Sequence, residues 1–191
     1  MKHRGTDVAE EQQERYVLRV VKRPAAILGS AIFLMIAPGT IAVLVPFRIC
    51  KWHLAPPLLG WGLVRLFGAM LICAGFPLLL DSFARFAIEG LGTPAPVAPP
   101  KHLVVSGLYR YVRNPMYIAV SSLIFGQGLL FGSVQVLKYG LAVAAGFHLF
   151  VLLHEEPALR GKFGEEYEFY CKNVRRWWPR LQPWRQNKDA R

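Results

Sequence analysis

The stretch GLYRYVRNPMY, Gly107 to Tyr117, holds two arginines, three tyrosines, an Asn-Pro step and a methionine directly before an apolar run. Proline is tolerated in the first turn of a helix, where its missing N–H is not needed. Asn114-Pro115 therefore reads as a helix start, with Asn114 as an N-cap able to accept from a backbone N–H. A helix start explains these two residues. It leaves Tyr109, Arg110, Arg113 and Tyr117 with two readings. They are ordinary anchors at a membrane boundary, arginines on headgroups and tyrosines in the aromatic belt, or they are parts of a site.

The rest of the chain establishes the boundary. Of 191 residues, 53% are hydrophobic and 18% charged, the net charge is +11, and the length suits one domain. Lysines and arginines flank apolar runs, which is the pattern of a membrane protein with juxtamembrane positive charge. Nucleic acid is not supported, because no basic helix is free of apolar neighbours and no binding motif is present. The three cysteines, Cys50, Cys73 and Cys171, show neither CxxC nor metal spacing, and the five histidines are scattered. No metal site or disulfide is implied. Cys73, inside an apolar run, reads as a small core or lipid-facing residue. The polar, charged N-terminus does not read as a cleavable signal.

The expected fold is an all-α integral membrane protein of about four transmembrane helices, with room for a fifth, and a cytoplasmic C-terminal helical region. Residues 1–23 form a cytoplasmic arm, partly helical near 9–21, and 24–191 a single domain. The spans are about 25–47, 58–80, 115–131 and 134–153. Pro38-Gly39 predicts a kink in the first. Arg65 in the second either snorkels, pairs with a neighbouring helix, or lines a polar cavity. Gly132-Ser133 leaves room only for a tight helical hairpin. Residues 81–113, with a proline-rich stretch, read as non-spanning. After His154 the chain is charged and aromatic, with short helices near 155–163 and 165–173 broken at Gly164. Trp177, Trp178 and Trp184 suit the membrane interface. The positive-inside rule puts both termini in the cytoplasm, and so sets 81–113 and 154–191 on one side.

Glu155-Glu156 comes directly after the fourth span. Acidic groups at a helix C-terminus oppose its dipole. Either the helix continues, or the carboxylates meet a cation. Arg110 or Arg113 would be a structural cation, and an ammonium or sulfonium of a ligand a functional one.

HLVVSGLYRYVRNPMY, an apolar hairpin, and then EEPALRGKFGEEYEFYCKNVRRWWP resemble the isoprenylcysteine carboxyl methyltransferase family and the related phospholipid N-methyltransferases. The similarity covers about residues 89–180, and GTPAPVAPP looks typical of bacterial members, which implies a bacterial inner membrane. The resemblance implies a membrane methyltransferase using S-adenosylmethionine, held by the C-terminal half rather than by a Rossmann domain. That agrees with the lack of a GxGxxG fingerprint after a strand. Carried over by motif, His102, Leu103, Val104 and Val105 would contact the cofactor, largely through backbone. Tyr109 would line the pocket. Asn114, Pro115, Met116 and Tyr117 would occupy the family's Arg-His-Pro-x-Tyr position. Glu155 would be the carboxylate nearest the cofactor, with Glu156 its neighbour; Glu155, Glu156, Arg113 and His148 are the candidate catalytic residues.

Three departures matter. The family's histidine before proline is Asn114 here, which bonds and caps but does not titrate. The spacing from His102 to Gly107 is one residue shorter than in eukaryotic members. The arginine that clamps a prenylcysteine carboxylate there is missing from Phe147-His148-Leu149-Phe150-Val151, so that substrate is not supported. His148 and Glu155 are seven apart and share a helix face, so His148 either packs inside the bundle or meets the substrate. His148 and Glu156 are the candidate bases. The expected acceptor is a membrane lipid or small molecule bearing an amine, carboxylate or thiol. Two other readings stand beside this one. One is a membrane reductase of the sterol-reductase type using NADPH, whose chains generally have more spans. The other is a non-catalytic scaffold.

Overall fold

A computed structural model describes residues 28–29, 31–88 and 103–185. The expected arm helix, the proline-rich stretch and His102 lie outside the described residues. Those residues form helices and connecting loops, with no strand among them. Four helices carry the apolar runs: α1 (Ala31–Cys50), α2 (Gly62–Ile88), α3 (Pro115–Phe131) and α4 (Val134–Phe163). A short α5 (Glu165–Asn173) comes after them.

Lengths show where each helix leaves the bilayer. The hydrocarbon core is about 30 Å thick, or about 20 residues at 1.5 Å per residue. α1 has 20 residues and α4 has 30. The excess of α4 carries Glu155, Glu156 and the charged turn to Phe163 beyond the apolar layer. α2 likewise runs on through Ile88, past the expected end near Leu80. Asp81 and Arg85 do not stop it. Their i, i+4 ion pair at 2.9 Å supports the extra turn.

α3 is the central helix. Ala119, Val120, Leu123, Ile124, Gly126, Gln127 and Gly128 on it are all buried. The three longer helices bury only 17% of their apolar windows and turn the rest outward, as lipid-facing helices do. Cys73 is exposed on α2. The core joins Ala42 of α1, Leu79 and Phe83 of α2, and Val136 of α4 to α3. The α3–α4 hairpin turns at Gly132, where φ is +69°, and the Ser133 hydroxyl caps α4 by accepting from Val136 N–H at 3.3 Å.

Pro38-Gly39 leads into a π turn, Thr40–Leu44. Such a turn frees carbonyls from the helix ladder. Two of these face the bundle: the Ala42 carbonyl accepts from Gln127 Nε2 at 2.6 Å, and the Ile41 carbonyl from the Tyr139 hydroxyl at 2.9 Å. Arg65 donates to the Ala55 carbonyl in the loop before α2, so it snorkels toward its own helix start.

Candidate functional site

The polar knot is a crossing point of backbone. Residues 107–110 form one 3₁₀ turn that starts at Gly107, with φ +50°. Tyr109 and Val112 are buried beneath it. The C-terminal tail wraps over this segment through three backbone bonds of 2.9 Å: Arg113 N–H to the Arg175 carbonyl, Arg180 N–H to Tyr111, and Trp184 N–H to Arg110. The Arg110 guanidinium returns a bond to the Trp184 carbonyl at 2.6 Å. The Tyr170 hydroxyl donates to the Tyr109 carbonyl at 2.6 Å. Trp184 is therefore packed inside, with Tyr167, Tyr170 and Val174.

Asn114 stands at the N-cap position without capping. Its amide donates to the Arg176 carbonyl at 3.3 Å, so the knot's asparagine holds the tail rather than the helix. Pro115 occupies the first turn, as expected.

A second π turn, Val151–Glu155, carries α4 through the charged boundary. The helix continues into Glu156–Phe163 and breaks at Gly164, where φ is +52°. A π turn adds about one residue per turn, which rotates the next part of the helix by about 100°. The regular face expected for His148 and Glu155 is thereby lost, and the two glutamates are aimed differently. Glu156 is 3% exposed and accepts from Arg176 Nε at 2.6 Å, Arg176 Nη2 at 2.9 Å and Arg113 Nη1 at 3.2 Å. Arg113 Nη1 also donates to Cys171 Sγ at 2.7 Å. The bond to Glu156 pushes the Arg176 pKa above its ordinary value.

Glu155 points elsewhere. Its Oε2 accepts from the Tyr117 hydroxyl at 2.9 Å, and it has no cationic partner among the described residues. Tyr109 is close enough that Glu155, after burial, raises its phenol pKa well above 10.0. Tyr117 and Glu155 thus meet, and Tyr109 lies within range of the Glu155 charge. Leu103 and Val105 pack on the tail cluster and Val104 is buried, while Met116 leans on the bundle core.

Beside Tyr117 opens a cleft of about 390 Å³ between α2, α3 and α4. Leu71, Ile118, Phe125 and Phe147 give it an apolar wall. The Tyr117 and Phe147 ring centroids are 4.7 Å apart. His148 and Trp177 close one edge, with Trp177 Nε1 donating to His148 Nδ1 at 2.9 Å. The sequence singled out His148 but not its tie to Trp177, which read only as an interfacial aromatic. Tyr170, Cys171 and Arg176 were missed too. Their only signal was membership of the second motif block.

Burial raises the pKa of Tyr109, Tyr167 and Tyr170 in the tail clasp above 10.0. For an acid with a raised folded pKa, the stabilising effect is complete below the unfolded value, 10.0, and is lost as pH rises through the folded value. The Tyr170→Phe variant should lose about 1 kcal/mol near neutral pH, from its bond to Tyr109. It should also decline less steeply than wild type above about pH 10. Melting temperatures of both proteins across that range test this, and parallel slopes would refute it.

No curated protein and no solved structure matches the chain. The phospholipid methyltransferase family model matches residues 63–166, more than half of the sequence. The matched segment begins in α2, takes in the knot, the hairpin and both glutamates, and ends before Cys171, Arg176 and Trp177. The Tyr117–Glu155 pair and the walls of the cleft contributed by α2, α3 and α4 all fall within it. The chain belongs to the phospholipid methyltransferase family, a family of membrane methyltransferases.

Proposed function

We propose that the protein transfers a methyl group from S-adenosylmethionine to a lipophilic acceptor at the cytoplasmic boundary of the membrane. One observation carries this reading. Of two adjacent carboxylates, Glu156 is saturated by arginines, whereas among the described residues Glu155 meets a tyrosine hydroxyl and no cation. A partly buried carboxylate without a cation favours a cationic ligand. S-adenosylmethionine carries both an ammonium and a sulfonium, so the residues present fit it.

Glu155, Tyr109 and Tyr117 would hold the cofactor, and the motif shared with the family adds backbone of residues 102–105. Pro115 and Met116 fix the first turn of α3 and so place Tyr117, and Asn114 ties that turn to the tail. When bound, the cofactor supplies a methyl group on cationic sulfur, open to in-line displacement. Tyr117 holds the Glu155 carboxylate in one orientation. The Glu156–Arg113–Arg176 clasp ties the α4 extension to the tail, which keeps that orientation fixed. The apolar cleft admits the acceptor from the bilayer side and excludes water. Alignment of this kind supplies most of what a methyl transfer needs. A carboxylate or thiolate acceptor arrives ready, and an amine must arrive neutral.

Calorimetric titration of S-adenosylmethionine into detergent-purified protein is the test. Saturable binding is expected, weakened about tenfold or more by Glu155→Gln, because a charge-assisted contact is lost. Absence of binding by folded protein in both detergent and lipid would overturn the reading. So would binding of NADPH in its place.

A further inference from the structure

His148 stands on the lipid side of α4, at the edge of the cleft, where an unsatisfied imidazole is costly. Trp177 relieves half of that cost by donating to Nδ1 at 2.9 Å. Indole N–H is a donor only. Nδ1 is therefore the accepting nitrogen, which leaves Nε2 to carry the ring N–H. Nε2–H has no protein partner among the described residues. The lone pair that a general base needs is the one Trp177 occupies. What His148 offers the cleft is a donor.

We infer that Trp177 locks His148 as a hydrogen-bond donor that receives an anionic oxygen of the acceptor's headgroup, a phosphate or a carboxylate, and does not remove the acceptor's proton. The inference deepens the reading above, on which the presence of an acceptor in this cleft rests. The position supports it. The rest of the wall is mainly apolar and suits acyl chains, and His148 lies on the same cleft as Tyr117, which holds Glu155. A fixed donor here selects acceptors that carry an oxygen next to the reacting atom. His148 is thus a positioning residue, and the tail that supplies Trp177 is part of the acceptor site although it lies outside the family match at 63–166.

Two substitutions separate a donor from a structural strut. Glutamine places an amide N–H near the Nε2 position, whereas asparagine places an acceptor near Nδ1 and nothing at Nε2. The first readout is ¹⁵N imidazole chemical shifts of His148 in the cofactor-free protein. The Nε2–H tautomer is expected, with mixed tautomers in Trp177→Phe. An Nδ1–H or doubly protonated ring in wild type would overturn the inference.

The second readout is calorimetric affinity for three probes: dihexanoyl phosphatidylethanolamine, decanoate and decylamine. His148→Ala and His148→Asn should lose about tenfold in affinity for the oxygen-bearing probe that wild type binds, and His148→Gln much less. Decylamine should be indifferent to all three. Loss confined to the phospholipid assigns the oxygen to phosphate, and loss confined to decanoate assigns it to carboxylate. Rescue by asparagine and not glutamine, equal affinities throughout, or binding of decylamine alone would each overturn the inference. S-adenosylmethionine affinity should stay unchanged in His148→Ala. If the cofactor fails to bind wild type, methyl transfer falls, while the tautomer and the probe affinities still decide the role of His148.

Discussion

The Glu156→Ala protein should melt about 10 °C below wild type, corresponding to a loss of about 3–5 kcal/mol. The carboxylate it removes accepts from two guanidinium groups and lies 3.7 Å from a third, the exposed Arg160. Arg176 is 28% exposed in its side chain and can turn to water, but Arg113 is 11% exposed and cannot. Its Nε is already without a partner among the described residues. After the substitution Arg113 would keep the Cys171 sulfur at 2.7 Å and no anion. Breaking one side of a buried pair is costly mainly because of the charge left behind. Glu156→Gln, which still accepts, should lose less. Glu156→Ala with Arg113→Met should recover part of the loss, because the stranded charge is gone. Thermal unfolding in detergent of all three variants measures this. A Glu156→Ala protein within about 1 kcal/mol of wild type would show that the clasp is ornamental.

Gly126→Val should be nearly as damaging, at about 3 kcal/mol, and should reduce the yield of folded protein. The α2–α3 interface is the most extensive contact between helices. Its backbones touch. A Cβ on Gly126 would lie 2.8 Å from the Gly68 carbonyl oxygen and 2.7 Å from Ile72 Cγ1. On Gly68 it would lie 2.7 Å from both the Gly126 carbonyl oxygen and Leu130 N. Neither helix can yield without moving the other. Close approach through small residues is how helices gain packing energy in lipid, where burial from water does not drive them together. Displacing α3 would also shift Tyr117 against Glu155. Gly146 is the control. A Cβ there meets nothing within 4 Å, so Gly146→Ala should be neutral or stabilising by about 0.5–1 kcal/mol. Melting curves of the two variants test the contrast. Equal effects would mean that the α2–α3 contact does not set stability.

The sequence by itself determined the local features. Apolar runs bounded by charge marked all four long helices. Pro115 marked a first helical turn, Gly132-Ser133 the hairpin, and Gly164 the break before α5. Each depends on the intrinsic preference of a few adjacent residues, so a linear reading suffices. The helix α2 outruns the span read to Leu80, because Asp81 and Arg85, four residues apart, pair and support a further turn.

Only the tertiary structure decided which polar group serves which purpose. Glu155 and Glu156 are neighbours in sequence, yet one meets Tyr117, 38 positions away, and the other meets Arg176, 20 positions away. Asn114 had the right chemistry for an N-cap and found a tail carbonyl instead. His148 and Trp177, 29 positions apart, each looked unpartnered. A hydrogen bond is satisfied by whatever group arrives within about 3 Å in the right direction. Composition and spacing fix what a side chain can donate or accept. The fold alone fixes what arrives.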